Sequence, residues 1–139
     1  VKDPSGFLWV ADTGKGLIRR ITADGTVSTA VGSVEAGGVG GASAQAYNEG
    51  RGEAARFFLP MGLARHPNGF LVIADSGNNR VRRVGADGMT ALIAGGGTPG
   101  ANDGVGKAAE FNRPSWVTVG PEGSIYVSDV ANHRIRRIR

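Results

Sequence analysis

The stretch Pro67–Val84 opens Pro67-Asn68-Gly69-Phe70-Leu71-Val72-Ile73-Ala74-Asp75 and closes Arg80-Val81-Arg82-Arg83-Val84, and it recurs at Pro4–Ile21 and again at Pro121–Ile138. Residues 48–85 lie on 102–139 without a gap, and residues 1–32 lie on 64–95 in the same way. A chain that repeats one unit in this manner folds as a tandem array, because each unit buries its apolar face against the next. The copies differ most in their connectors: Ser33–Tyr47 is longer than its counterpart Gly96–Ala101, and such insertions map to loops.

The recurring residues make physical sense as strands and turns. Pro-x-Gly (Pro4/Gly6, Pro67/Gly69, Pro121/Gly123) is tight-turn chemistry, with proline fixing φ and glycine taking the positive-φ position. Phe7–Ala11, Phe70–Ala74 and Ile125–Ser128 follow, apolar runs too short for a helix and rich in β-branched and aromatic residues, hence buried strands. Each run ends at an aspartate, then comes a loop and a second strand alternating aliphatic residues with arginine. In two copies Ala-Asp-Gly (Ala23–Gly25, Ala86–Gly88) forms a hairpin turn into a third strand, Thr26–Val31 or Met89–Ala94. Upstream, Gly62–Ala64 and Trp116–Val119 supply a strand that precedes the other three.

Four consecutive antiparallel strands joined by turns form a propeller blade. The predicted fold class is all-β, in β-propeller blades that make up part of a larger ring. The predicted layout is an incomplete blade over 1–32 with three outer strands, a Gly/Ala-rich connector over 33–59, a complete blade over 60–95, a connector over 96–113, and an incomplete blade over 114–139 with three inner strands. On this reading the chain is a piece of a longer one, with self-assembly into a ring as the alternative. The 24 glycines and 6 prolines fall at fixed places in the repeat, which marks them as turn residues rather than a sign of disorder.

Asp75–Val84 and Asp129–Ile138 resemble the NHL repeat, and the connectors Asn48–Phe57 and Asn102–Phe111 resemble a decoration common in such repeats. The first copy departs from the pattern, with Lys15-Gly16-Leu17 where the others read Asn78-Asn79-Arg80 and Asn132-His133-Arg134. The resemblance implies a β-propeller, commonly six-bladed, and leans towards an extracellular or secreted protein. It leaves activity open, since the family includes RNA-binding, protein-binding and enzymatic members.

The net charge of +4 invites a nucleic-acid reading, but the charge is patterned. Arg19-Arg20, Arg82-Arg83 and Arg136-Arg137 hold the same place in every copy, and neighbours on a strand point to opposite faces. Such a pair cannot form one basic surface; stems packed between blades and heads paired with Asp75 and Asp129 explain it more economically. Aromatics make up 6% of the chain and sit mainly in or beside strands, so a base-stacking platform is not evident. There is no cysteine, which excludes disulfides and thiolate chemistry within these residues. No apolar run approaches the length of a membrane span.

Repetition also decides how single residues are read. Asp12, Asp75 and Asp129 look like a catalytic set, yet their equivalence argues that each braces its turn by accepting hydrogen bonds. Asn78 and Asn132 read as turn residues suited to the left-handed region, and Arg80, Arg134, Arg82 and Arg136 as structural repeat positions. His66 and His133 are not equivalent, fall at opposite ends of the blades, and read as solvent-facing loop residues. The Asn48-Glu49-Gly50 and Asn102-Asp103-Gly104 loops lack the close carboxylates of a calcium loop, and Asn102–Gly106 lacks the Gly-Lys-Ser/Thr of a phosphate loop. No catalytic residue, metal or cofactor is predicted. The positions where copies differ, Lys15, Asn79, His133 and the Ser33–Tyr47 insertion, are the candidate partner surface. The favoured function is a scaffold that binds protein, or glycan, through its loop faces. The alternatives are a propeller hydrolase, lactonase or lyase whose site lies in other blades, and RNA binding on a basic face.

Overall fold

A computed structural model describes residues 1–34 and 47–139. Ten strands form three antiparallel sheets: β1 (Leu8–Asp12), β2 (Leu17–Ile21) and β3 (Val27–Val31); β4 (Pro60–Arg65), β5 (Leu71–Asp75), β6 (Arg80–Val84) and β7 (Thr90–Ala94); and β8 (Pro114–Val119), β9 (Ile125–Asp129) and β10 (Arg134–Ile138). Within each sheet neighbours in sequence are neighbours in space. These are the blades of a β-propeller. Among the described residues the only helical pieces are single 3-10 turns, and none is long and apolar enough to cross a membrane.

The strands after the Pro-x-Gly turns run one residue further than the apolar pattern suggests. Asp75 closes β5 because it still pairs in register with Arg80, and Asp12 and Asp129 do the same with Leu17 and Arg134. The turns themselves are built by side chains. Asp24 Oδ1 accepts the Thr26 N–H at 3.1 Å and Asp87 Oδ1 the Met89 N–H at 3.1 Å, with Gly25 and Gly88 at φ 86° and 78°. Acceptance of those bonds holds the Asp24 and Asp87 carboxyls below their ordinary range; for Asp24 the Thr22 hydroxyl contributes most.

The middle blade turns one face to the first blade and the other to the third. Leu71, Ile73 and Val84 bury against Ile18 and Val31 of the first blade, while Val72, Ala74 and Val81 bury against Val117, Ile125 and Val127 of the third. The connectors wedge between sheets. Ala55 and Phe57 enter the first of these clusters, Ala109 and Phe111 the second. Gly52–Ala54 and Gly106–Ala108 each form a 3-10 turn that delivers the phenylalanine inward.

Candidate functional site

The repeated Asp, Asn and Arg converge into one clasp per blade. In the middle blade Asp75 Oδ1 accepts the Phe58 N–H at 2.8 Å, while Oδ2 accepts Asn78 Nδ2 at 2.8 Å and Arg82 Nη1 at 3.1 Å. The Arg82 guanidinium donates further to the carbonyls of Arg56 and Asn48, the latter at 2.6 Å, and to Thr90 Oγ1 at 3.2 Å. It lies over the Phe57 ring at 4.4 Å and the Tyr47 ring at 4.8 Å. Both Asp75 and Arg82 side chains are 0% exposed. The aspartate thus holds the end of the connector as well as the turn that follows it, and the arginine holds the connector at both ends. Burial pushes the Asp75 carboxyl up from its ordinary value, and Arg82, Asn78 and the Phe58 N–H oppose that shift.

The third blade repeats the arrangement. Asp129 Oδ1 accepts the Asn112 N–H at 2.8 Å, and Oδ2 accepts Asn132 Nδ2 at 2.7 Å and Arg136 Nη1 at 3.0 Å. Arg136 also reaches the Glu110 and Asn102 carbonyls, each at 3.1 Å, and the Asp103 carboxylate. In the first blade, by contrast, Asp12 and Arg19 stand 4.0 Å apart and partly exposed, with Lys15 where the other blades have asparagine.

Asn78 and Asn132 do not occupy the left-handed region expected of them. That conformation falls one residue later, on Asn79 at φ 53° and His133 at φ 54°, because Asn78 and Asn132 close the 3-10 turn with their amides committed to aspartate. Asn79 is likewise not a free surface residue. It is buried, its Nδ2 donates to the Gly97 carbonyl at 3.1 Å, and its Oδ1 accepts the Arg113 N–H at 2.9 Å, which ties the middle blade to the strand that opens the next.

Lys15 and His133 are exposed on the rim that carries the 3-10 turns, while residues 35–46 of the Ser33–Tyr47 insertion lie outside the described residues. Arg80 donates to the Gly96 carbonyl at 2.8 Å and lies 3.8 Å from the Tyr47 ring centre; Arg134 donates to the Ala101 carbonyl at 3.3 Å. Tyr47 donates to Glu49 at 2.6 Å, and burial, with that bond, pushes its phenol up to about 12.

His66 departs from the expectation of a solvent-facing loop residue. Its ring stacks on Phe70 at 4.2 Å, Nδ1 accepts the Asn68 N–H at 3.1 Å, and Nε2 donates to the Gly123 carbonyl of the next blade at 3.0 Å. Arg113 escaped the sequence reading altogether. It is exposed on the rim with Lys15 and His133, and holds φ 56°, as Leu59 holds 50° at the equivalent place. The signal available for the connector residues was the identity of Asn48 with Asn102 and Phe57 with Phe111; no such signal marks Arg113.

The family model for the NHL repeat matches residues 111–138, the connector phenylalanine through the end of β10. This chain carries an NHL repeat. It is 40% identical over 73 residues to NHL repeat-containing protein 2 of Bos taurus, a match covering 52% of this chain and 10% of that protein. It is 36% identical over 92 residues to teneurin-4 of Homo sapiens, covering 55% of this chain and 3% of that one. This chain therefore spans a tenth or less of these curated relatives. Among solved structures, a protein of unknown function from Bacteroides thetaiotaomicron matches with TM-score 0.83 at 23% identity over 96% of this chain and 32% of its own. An auxiliary nutrient binding protein from the same organism matches with TM-score 0.79 at 23% identity, over 99% and 36%. A gluconolactonase from Xanthomonas campestris matches with TM-score 0.66 at 18% identity, over 96% and 40%. At these identities the likeness is one of fold.

Proposed function

We propose that this NHL-repeat chain is an interaction scaffold, which binds a partner protein through the rim that carries Lys15, Arg113 and His133. The observation that carries this reading is how the charged groups divide. Asp75, Asp129, Arg82 and Arg136 turn inward onto the backbone of the connectors, whereas Lys15, Arg113 and His133, which differ from their counterparts in other copies, stand exposed on one rim. A rigid framework with variable loop residues is the usual form of a binding surface.

The nucleic-acid reading has one observation in its favour: Arg83 and Arg137 are exposed, and Arg83 lies 5.7 Å from the Phe70 ring centre. Titration of a labelled single-stranded RNA at two salt concentrations, alongside melting curves of Arg82→Ala and Arg83→Ala, separates the two. The scaffold reading expects no salt-sensitive RNA binding and a marked loss of stability in Arg82→Ala. Affinity that falls steeply with salt and drops in Arg83→Ala at unchanged melting temperature would replace it with RNA binding.

A further inference from the structure

Arg82 and Arg136 commit their guanidinium groups to the connectors, but Arg20 does not. Trp9, Arg20 and Ser28 are cross-strand partners and form one row across the first sheet, on the face that packs against the middle blade. Arg20 lies over the Phe7 ring at 4.5 Å, its Nε is buried without a hydrogen-bond partner, and among the described residues no acceptor meets any of its side-chain nitrogens. Arg82 Nε is also unpartnered, but that side chain is 0% exposed and its two Nη atoms already serve four acceptors. A buried N–H that meets no acceptor costs free energy, and where it borders open space it marks a place for one.

Arg20 borders such space. A cleft of about 310 Å³ lies between the first and middle blades, with Trp9, Arg20, Ala30 and Val31 on one side and Val84 and the turn 85–88 on the other. The sequence makes the room: Ala30 stands where the middle blade has Ile93, which packs into the core shared with the third blade. Trp9 stands where the middle blade has Val72, and its Nε1–H donates to Asp3 Oδ2 at 2.8 Å, so the indole is a fixed, flat wall. Asp87 on the opposite lip does not answer the charge of Arg20, because Oδ1 accepts the Met89 N–H at 3.1 Å and Oδ2 accepts Arg51 Nη2 at 3.2 Å. The cleft thus offers an aromatic face, aliphatic walls and one unanswered cation, at the small end of the size range for ligand pockets.

We propose that this cleft binds a small aromatic carboxylate, its ring against the Trp9 indole and its carboxylate on the Nε side of the Arg20 guanidinium. Stacked rings and a charge-assisted bond to guanidinium are the two contacts these side chains are equipped to make. The site lies at the end of the blades opposite the 3-10 turns, because β6 begins at one such turn and ends at the turn that walls the cleft. It is therefore separate from the rim proposed to bind a partner protein.

Titration of the chain with benzoate, followed by nitrogen–proton correlation spectra of the two indoles, tests this. Benzoate should shift the Trp9 indole signal saturably and leave that of Trp116 in place, and the neutral isostere benzamide should bind at least about tenfold more weakly, because it lacks the charge that Arg20 answers. Arg20→Gln should weaken benzoate by a similar factor, and Ala30→Ile, which installs the residue of the middle blade, should abolish the shift by filling the cleft; circular dichroism verifies that both variants fold. No saturable shift at Trp9, equal shifts at both indoles, equal affinity for benzoate and benzamide, or binding that survives either folded variant would overturn the proposal. The comparison of benzoate with benzamide uses the wild type alone and decides the matter where a variant fails to fold.

Discussion

The middle and first blades carry the same aspartate and arginine at the same spacing, and the two pairs are in different states. Asp75 and Arg82 are 3.1 Å apart and 0% exposed; Asp12 and Arg19 are 4.0 Å apart and 32% and 30% exposed. The difference lies in what covers them. Ala55, Phe57 and the first blade bury the sheet face on which Arg82 lies, and Asn78 supplies the amide that completes the aspartate's bonds. In the first blade that face is the open one with Leu8 and Val10, and Lys15 stands where the asparagine would be. Among the described residues the motif forms a clasp in the two blades where a connector and a neighbouring blade close over it. The lesson is that a buried ion pair is not itself a source of stability; its value lies in the backbone groups it fastens, and breaking it strands a charge.

The largest effect that sharpens this contrast is expected from removal of the arginines one at a time. Arg82→Ala leaves Asp75 buried without its cation, takes the guanidinium donor from the Arg56 carbonyl and leaves the Asn48 carbonyl with the Arg56 N–H alone, so urea melts should show a loss of about 3–5 kcal/mol. Arg19→Ala should cost no more than about 1 kcal/mol, as for any partly exposed pair.

Acid should divide the carboxylates by sign. Asp3 and Asp87 lie below their ordinary value, Asp3 chiefly through the Trp9 indole N–H and Asp87 through the Met89 N–H. Their contribution is therefore present above the unfolded value of 3.8 and is lost as pH falls through the lowered folded value. Asp75 is raised by burial, so its contribution has the opposite sign: present below 3.8 and lost as pH rises through its raised folded value. Melting temperature measured against pH should accordingly fall less steeply on acidification in Asp87→Asn than in the wild type, and more steeply in Asp75→Asn. Parallel curves for all three would remove the distinction between turn and clasp carboxylates.

The smallest effect is a repair. Lys15→Asn restores the residue that completes the turn in the other two blades, and should raise stability by up to about 1 kcal/mol by giving Asp12 an amide donor. A loss of stability would mean that the open face alone keeps the first pair apart.

Much of this was legible in the residues. Pro-x-Gly, the apolar runs and Ala-Asp-Gly fix turns and strands through local chemistry, so the strands lie where the pattern puts them, with a one-residue shift where aspartate keeps its cross-strand partner. Pairing of Arg82 with Asp75 and Arg136 with Asp129 followed from repetition and alternation on a strand. What could not be read was which backbone groups the aspartates would take, because Phe58 and Asn112 lie at the ends of the connectors and meet them only once the first two strands of the blade have paired. Asn79 was misplaced for the same reason: its partners, Gly97 and Arg113, belong to the next connector and the start of the next blade. His66 follows suit, since Gly123 reaches it only through blade stacking.

The central claim is that cover, rather than the residue pair, makes the clasp, and two double-mutant cycles test it most directly. Asp75→Ala with Arg82→Ala, and Asp12→Ala with Arg19→Ala, are each measured by chemical unfolding as single and combined variants. The account predicts a coupling on the order of 2–3 kcal/mol for the middle blade and below about 0.5 kcal/mol for the first. Equal couplings in the two blades would contradict it.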